Sequence, residues 1–290
     1  MNEVSSEELL LWIQNNLNKN KGYEDSLYLL IDLLGGIPRS EINALRLNPQ
    51  KVINLRVDLD LLHHQWIEFI QNKKPIQYLS NSCYWRDLSL EVNKNVLIPR
   101  VETEQIIEIV CNLISDFKKD LILTDLGTGS GAIAISLALK NSFWKVLATD
   151  IDPKAIDVAS TNFKKYLIKK NFKLLCGSWW KPLKKYAGKI DIAISNPPYI
   201  PFKVYEKLPI SVKDHEPQRA LNGGDDGLLH IREIIKEAPK FLKRGGWLIL
   251  ENHFDQAQEV KTLMLNNGIE SVEIIKDIYG IGRFTIGRYK

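Results

Sequence analysis

The chain has 290 residues, 44% hydrophobic and 26% charged, the balance of a globular protein with one large domain or two smaller ones. No apolar run reaches the roughly 18 residues that span a bilayer, and Met1-Asn2-Glu3-Val4 lacks the basic-then-apolar pattern of a secretion signal, so a cytoplasmic protein is expected. The net charge of +4 is too small to argue for nucleic acid, but it is unevenly spread: residues 1–72 carry 6 Lys and Arg against 10 Asp and Glu, and the remainder carries 33 against 25.

Ser5 and Glu8 have capping-box spacing ahead of the apolar run Leu9 to Leu17, which predicts a first helix. Tyr23 to Leu34 predicts a second, stopped by Gly35-Gly36. Pro38 starts a third, where its missing N–H is no loss. Asp58 or Asp60 caps a fourth, with Leu61, Leu62, Trp66, Phe69 and Ile70 at helical spacing. No strand pattern interrupts this stretch, so residues 1–72 read as a small helical domain without a catalytic constellation. Lys73-Lys74-Pro75 breaks the pattern, and the aromatic-rich stretch Tyr78 to Val92 reads as a hairpin, giving a linker over 73–100. An amphipathic helix follows, to about Ile114.

From Leu121 the chain alternates strand and helix. Strands are predicted at Leu121–Leu126, Val146–Asp150, Phe172–Cys176, Ile190–Ser195, Gly246–Glu251, Ser271–Ile275 and Arg283–Tyr289. Helices are predicted at Ala132–Leu139 and at about 155–168, 226–243 and 254–267. This alternation implies an α/β domain over 101–290 with a doubly wound, mostly parallel sheet. Cys83, Cys111 and Cys176 are far apart, no two have zinc-ligand spacing, and the five histidines form no ligand pattern, so no metal is expected.

Two strand ends carry the chemistry. After the first strand, Gly127-Thr128-Gly129-Ser130-Gly131 is a tight turn that lets a ligand approach the backbone. Its spacing is one residue shorter than the dinucleotide fingerprint, and no Lys-Ser/Thr follows as in a P-loop. Asp125, just before the turn, suits an ammonium better than a phosphate, and Asp150 at the next strand end can accept from both hydroxyls of a ribose. An ammonium-bearing nucleoside without phosphate is S-adenosylmethionine; a Rossmann site for another nucleotide is the alternative. After the fourth strand comes Asn196-Pro197-Pro198-Tyr199. The two prolines end the strand and fix the carbonyl directions. The Asn side chain offers an acceptor for an amine hydrogen, and Tyr199 can stack on a planar group. Alone, the four residues could equally be a plain strand-ending turn.

Asp125-x-Gly-x-Gly-x-Gly131, Asp150 and Asn196-Pro-Pro-Tyr199 together resemble the methyltransferases that modify planar nitrogens. Val96-Leu-Ile-Pro-Arg-Val-Glu-Thr-Glu104, Asn196-Pro-Pro-Tyr-Ile200, Glu216-Pro217, Ala220-Leu221 and Gly223-Gly-Asp-Asp-Gly227 are more specific. They resemble the peptide chain release factor glutamine methyltransferases over nearly the whole chain. That resemblance implies a Rossmann-like class I S-adenosylmethionine-dependent methyltransferase sheet with a small N-terminal helical domain and a linking β-hairpin. It implies methyl transfer to the Gln amide of a release factor's Gly-Gly-Gln loop, with the cofactor held by Asp125, Gly127, Thr128, Gly129, Gly131, Asp150, Ser178, Trp179 and Asn196. Asn196, Pro197, Pro198 and Tyr199 would hold the substrate, with Asn196, Pro197 and Tyr199 catalytic. Asn196 and the Pro197 carbonyl would each accept one amide hydrogen, and Tyr199 would pack on the amide plane. No strong general base is needed, since the proton can leave once the nitrogen is cationic. The acidic helical domain would dock the protein substrate. A monomer is expected, with no direct nucleic-acid or membrane partner.

The sequence departs from the family pattern at Val101 for Pro, Ser178 for an acidic residue, Lys73-Lys74 for a Gly-acidic pair, and Asn252-His253 for x-Gly. The departure at Ser178 bears on the adenine contacts. Rival readings are a glutamine methyltransferase of a ribosomal protein, an adenine methyltransferase acting on a flipped base in DNA or RNA, and a non-catalytic binding module. The acidic extra domain argues against nucleic acid, and the intact Asn196 and Tyr199 argue against the module.

Overall fold

The structure is a computed structural model that describes residues 2–114, 120–168 and 171–290. The chain divides into two compact units, Met1–Cys83 with Pro209–His215, and Tyr84–Leu208 with Glu216–Lys290.

The first unit is mainly helical. Strand β1 (Asn2–Ser5) leads into α1 (Ser6–Lys19), whose first turn is capped as expected: the Ser5 hydroxyl accepts from the Glu8 amide. Helix α2 (Glu24–Leu30) runs on through a wider π turn to Gly35, and Gly36 ends it in the left-handed conformation at φ 80°. Helix α3 (Arg39–Leu45) begins one residue later than expected. Pro38 is its cap, with extended backbone, rather than its first helical residue. Strand β2 (Val52–Leu55) pairs antiparallel with β1, which corrects the expectation of a region without strands. Each of these strands is only four residues long, and they meet across about fifty residues of chain, so neither leaves a periodic signal. Helix α4 (Leu59–Asn72) is capped by Asp58, which accepts from the Leu61 amide, and a short α5 (Ile76–Leu79) follows. Leu9, Leu27, Leu30, Ile42, Leu62 and Trp66 form the core of this unit.

The hairpin of β3 (Ser82–Trp85) and β4 (Leu88–Glu91) precedes a single 3-10 turn (Glu102–Glu104) and α6 (Gln105–Leu113). The second unit then alternates: β5 (Ile122–Leu126), α7 (Ala132–Lys140), β6 (Lys145–Asp150), α8 (Pro153–Lys165), β7 (Phe172–Cys176) and β8 (Ile190–Ser195). After the short α9 (Phe202–Tyr205) and α10 (Ile210–Lys213) come α11 (Leu229–Phe241), β9 (Leu242–Glu251), α12 (Ala257–Asn266), β10 (Ile269–Lys276) and β11 (Gly282–Tyr289). Strand β9 starts four residues earlier than expected because Leu242 already pairs beside Ile190.

These seven strands form one sheet in the order β10-β11-β9-β8-β5-β6-β7. Strands β7, β6, β5, β8 and β9 are parallel, and β11 runs antiparallel to both β9 and β10. Alternate residues of the central strands feed two cores. Val146, Ala148, Ile192, Ile194 and Ile249 pack with α6 and α7 on one face. Leu147, Ala193, Leu248 and Leu250 pack with α11 on the other. Burial on both faces is what makes these strands continuous apolar runs. From β5 the chain winds outward through β6 and β7, then returns to place β8 on the other side of β5. That reversal opens a crevice at the carboxyl ends of β5 and β8.

Candidate active site

The loop after β5 is shaped by its glycines and tied to the end of β6. Gly127, Gly129 and Gly131 have φ of 78°, 55° and 87°, a region that side chains rarely adopt. The Gly127 and Thr128 amides both donate to the Thr149 carbonyl at the end of β6, at 2.8 and 2.9 Å. Gly131 caps α7, and a Cβ there would stand 3.1 Å from the Phe163 ring and 3.2 Å from Ile135.

Two carboxylates flank this loop in different surroundings. Asp150 lines the cavity, its Oδ2 accepting from the Gly129 amide and its Oδ1 from the Asp152 amide, each at 2.9 Å. Every oxygen therefore keeps a lone pair for a further donor. Burial raises its carboxyl above the usual range, and the two backbone amides oppose that shift. Asp125 lies beneath the loop, fully buried, and takes the Thr128 hydroxyl at 2.6 Å. Burial pushes its carboxyl up to about 7, against the pull of Thr128 and the Ala134 amide.

Beyond β7, Trp179 adopts a positive φ of 44° and lays its ring where a Gly127 Cβ would sit, 3.0 Å away. Its carbonyl accepts from Thr149 Oγ1, and its indole N–H donates to Glu233 at 3.0 Å. The His230 ring lies 5.6 Å from the Trp179 ring, so α11 contributes a polar pair, His230 and Glu233, to the same wall.

The loop after β8 is held by side chains from elsewhere. Asn196 Nδ2 donates to Thr103 Oγ1 at 3.1 Å, and the Thr103 hydroxyl donates to Glu251 Oε2 at 2.8 Å. The Tyr199 hydroxyl donates to the other oxygen of Glu251 at 3.0 Å. Gln256 Nε2 donates to the Tyr199 carbonyl at 2.9 Å. Among the described residues, nothing in the protein donates to Asn196 Oδ1 or to the Pro197 carbonyl. Glu251 is buried at the end of β9, and burial pushes its carboxyl up to about 7 despite the two hydroxyls and Arg283. Burial also raises Tyr199, with the Glu251 charge next.

The remaining wall follows the hairpin. The buried Glu216 carboxylate takes the Arg100 guanidinium at 2.6 Å and the Ile98 amide at 3.2 Å, and the Trp85 indole donates to the Arg100 carbonyl. Arg219 pairs with Asp152 at 3.0 Å.

These groups enclose a cavity of about 420 Å³. Of the residues expected from sequence, Gly127, Thr128, Gly129, Asp150, Ser178, Trp179, Asn196 and Pro198 line it. Asp125, Gly131, Pro197 and Tyr199 are not among the lining residues. The structure adds Arg100, Thr103, Asp152, Arg219, His230 and Glu233. Arg100 and Thr103 lie in a segment already marked by the Val96–Glu104 motif. His230 and Glu233, on an amphipathic helix, carry no sequence signal of their own.

A family description for methyltransferase domains matches residues 117–280. A release factor glutamine methyltransferase of Prochlorococcus marinus is 38% identical over 281 residues, covering 97% of this chain and 96% of its own. One from Bacillus subtilis is 34% identical, covering 95% of each. Among solved structures, the hMettl16 catalytic domain bound to a MAT2A 3′UTR hairpin aligns with a TM-score of 0.58 at 15% identity, over 93% of this chain and 94% of that one. A methyltransferase from Pyrococcus furiosus aligns at 0.50 and 22% identity, over 70% of this chain and 89% of its own. These distant structures bear on the fold alone, and the fold is the Rossmann-like class I methyltransferase sheet that the sequence implied.

Proposed function

We propose that this chain, which belongs to the release factor glutamine methyltransferase family, transfers a methyl group from S-adenosylmethionine to the glutamine side-chain amide in the Gly-Gly-Gln loop of a peptide chain release factor. The observation that carries the reading is one shared cavity. Asp150 and the glycine loop, which suit a nucleoside, line the same space as Asn196, which suits a primary amide.

The residues present fit the cofactor. Asp150 retains acceptor capacity toward a ribose diol, and a Cβ at Gly129 would meet no protein atom within 4 Å, so the loop leaves open space there. Trp179 offers an aromatic face beside Gly127, with Ser178 next to it. Thr128 and Asp125 set the floor of the loop, with Gly131 fixing the start of α7. When bound, the cofactor supplies an electrophilic methyl on a sulfonium.

An amide nitrogen is a weak nucleophile because its lone pair is delocalised into the carbonyl, so the work left to the protein is positioning. Asn196 Oδ1 and the Pro197 carbonyl each accept one hydrogen of the substrate –NH2 group. Two fixed acceptors turn the nitrogen in one direction and favour electron density on it. Pro198 walls the amide on the cavity side, whereas Tyr199, expected to pack on the amide plane, is not among the lining residues and instead anchors the loop through its hydroxyl and its carbonyl.

The domain reading that goes with this function gives residues 1–72 the docking of the protein substrate, 73–100 the link and 101–290 the catalysis. It is supported by the excess of acidic residues in the first 72. A cytoplasmic monomer that takes a protein rather than nucleic acid or a membrane fits the same reading; among the described residues no helix is long and apolar enough to cross a membrane.

The test is incubation with labelled S-adenosylmethionine and purified release factor, ribosomal protein and nucleic acid in parallel. Label on the release factor glutamine is the expected result. Label on another substrate class, or none, overturns the reading. The same assay with the exposed Glu3, Glu7 and Glu8 reversed to lysine tests docking: KM for the release factor should rise while cofactor affinity holds, and an unchanged KM removes the docking role.

A further inference from the structure

A side-chain amide can be turned over with almost no change in shape, exchanging its acceptor for its donor. Asn196 can serve a substrate –NH2 group only with its oxygen toward the cavity. Turned over, it would set –NH2 against –NH2. Nothing in the Asn-Pro-Pro-Tyr stretch itself selects between the two.

The selection comes from two residues outside the stretch. Thr103 Oγ1 stands between Asn196 Nδ2, at 3.1 Å, and Glu251 Oε2, at 2.8 Å. An ionised carboxylate only accepts hydrogen bonds, so the Thr103 proton must point at Glu251. The Thr103 oxygen is then an acceptor, and the Asn196 group facing it must be the –NH2. The Tyr199 hydroxyl occupies the other Glu251 oxygen, so both carboxylate oxygens receive donors.

Resting on the reading that Asn196 Oδ1 receives the substrate amide, we propose that ionised Glu251, acting through Thr103, is the positioning residue that sets the orientation of Asn196 for methyl transfer. The polarity of the chain reverses on protonation. A Glu251 carboxylic acid donates to Thr103, the Thr103 hydroxyl turns toward Asn196, and the Asn196 oxygen is drawn away from the cavity. No covalent step or added reactant is involved.

The groups facing Glu251 make such a reversal accessible. From the 3-10 turn come Thr103 and the charge of Glu102, which disfavours ionisation; from the loop after β8 comes Tyr199; from β11 comes Arg283, which favours it. Arg283 is itself held by Asp277 at 2.6 Å. The balance is dominated by burial, and the carboxyl is raised to about 7.

The test is the pH dependence of kcat for release factor methylation, at saturating S-adenosylmethionine and release factor, in wild type, Thr103→Val, Thr103→Ser and Glu251→Gln. The wild-type rate should fall on the acid side of about pH 7. Thr103→Val should lower kcat about tenfold or more at pH 8, with cofactor Kd and release-factor KM within about twofold, and should lose the acid limb. Thr103→Ser, which keeps the hydroxyl, should restore most of the rate and the limb. Glu251→Gln keeps the shape but does not titrate, so its profile should lack the limb even if Thr103→Val fails to fold. An acid limb that persists in Glu251→Gln, or a folded Thr103→Val with wild-type kcat, overturns the proposal. A wild-type protein that labels no release factor instead removes the functional reading on which the proposal rests, and the proposal with it.

Discussion

After β5 the chain turns through Gly127–Gly131 on glycine backbone tied to the end of the neighbouring β6, and after β8 it turns through Asn196–Tyr199 on side chains sent from three other segments. Both turns sit above a buried carboxyl that burial pushes up to about 7, and each carboxyl takes a threonine hydroxyl. The difference lies in where the threonine comes from. Thr128 is three residues from Asp125, within the same turn, whereas Thr103 is 148 residues from Glu251. A turn held by the adjacent strand end can present backbone to a ligand, and its conformation depends on glycine. A turn supported by distant side chains can present a side chain in one orientation, and its function depends on Glu251 and Gln256, which are not among the residues lining the cavity, as well as on Thr103, which is. The first arrangement suits holding a cofactor, and the second suits aligning a reacting group.

The largest expected effect is on the externally supported turn. Asn196→Ala removes the acceptor offered to the substrate and its alignment together, so kcat should fall by about a hundredfold or more. Cofactor Kd should stay close to wild type, because the glycine turn and Asp150 are untouched. Asn196→Asp keeps an oxygen toward the cavity and should retain more activity than Ala. Single-turnover methylation beside cofactor titration separates the two sides. A folded Asn196→Ala protein with wild-type turnover would take Asn196 out of the mechanism.

The contrast between the turns also explains what could be read from sequence. The spacing of Gly127, Gly129 and Gly131 after an apolar strand states the conformation locally, because positive φ is a property of single residues. Strand β8 is legible to the residue, since burial on both faces leaves a mostly apolar run that two prolines end, and the edge strand β7 matches its predicted bounds although none of its residues is fully buried. The pairing of β1 with β2 was not, because four-residue strands carry too few alternations to register. Thr103, Glu251 and Gln256 meet around the loop after β8 only once the sheet is assembled. In sequence, Thr103 is a polar residue at a helix start, and Glu251 is the end of a strand. His230 and Glu233 face the cavity three residues apart on α11, a spacing that any solvated helix face shares.

Next in size is a pH effect from the carboxyl under the glycine turn. In the folded protein Asp125 is raised from 3.8 to about 7 by burial, with the Asp150 charge reinforcing and Thr128 and the Ala134 amide opposing. A carboxyl raised on folding holds its proton in the native state after the unfolded chain has lost it. Its stability contribution is therefore fully present below about pH 4 and is lost as pH rises toward 7. Across that window the loss is on the order of 2–4 kcal/mol. Asp125→Asn should flatten this part of the stability curve, measured by urea unfolding between pH 4 and 8. Parallel curves for wild type and variant would show that Asp125 titrates normally and that the turn rests on something else.

Asp150→Ala should weaken S-adenosylmethionine binding by about 1.5–3 kcal/mol, the worth of hydrogen bonds to a charged acceptor. The loss includes the support that its carboxylate lends to the Gly129 amide. At saturating cofactor, kcat should be less affected than by Asn196→Ala, because the aligning turn stands on other residues. Calorimetry with unchanged affinity would reject the assignment of Asp150 to the cofactor.

The smallest expected effect addresses whether the glycine turn is supported by conformation alone. Gly131 has φ 87° and caps α7, and an added methyl would stand 3.1 Å from Phe163 and 3.2 Å from Ile135. Those neighbours are side-chain ends, able to give by a few tenths of an ångström, so the strain is mostly in the backbone. For a residue other than glycine, left-handed backbone costs about 1–2 kcal/mol. Gly131→Ala should therefore destabilise the fold by about that amount in urea unfolding. Gly129→Ala meets no protein atom within 4 Å, so its steric effect should appear on cofactor binding rather than on packing. It bears a similar conformational penalty at φ 55°, which makes the pair a matched control. If both variants lose similar stability but only Gly129→Ala loses cofactor affinity, the turn serves its ligand through the open space at Gly129 and its fold through the packing at Gly131. Equal losses of affinity would mean that the turn moves as one piece, and the distinction between the two glycines would fall.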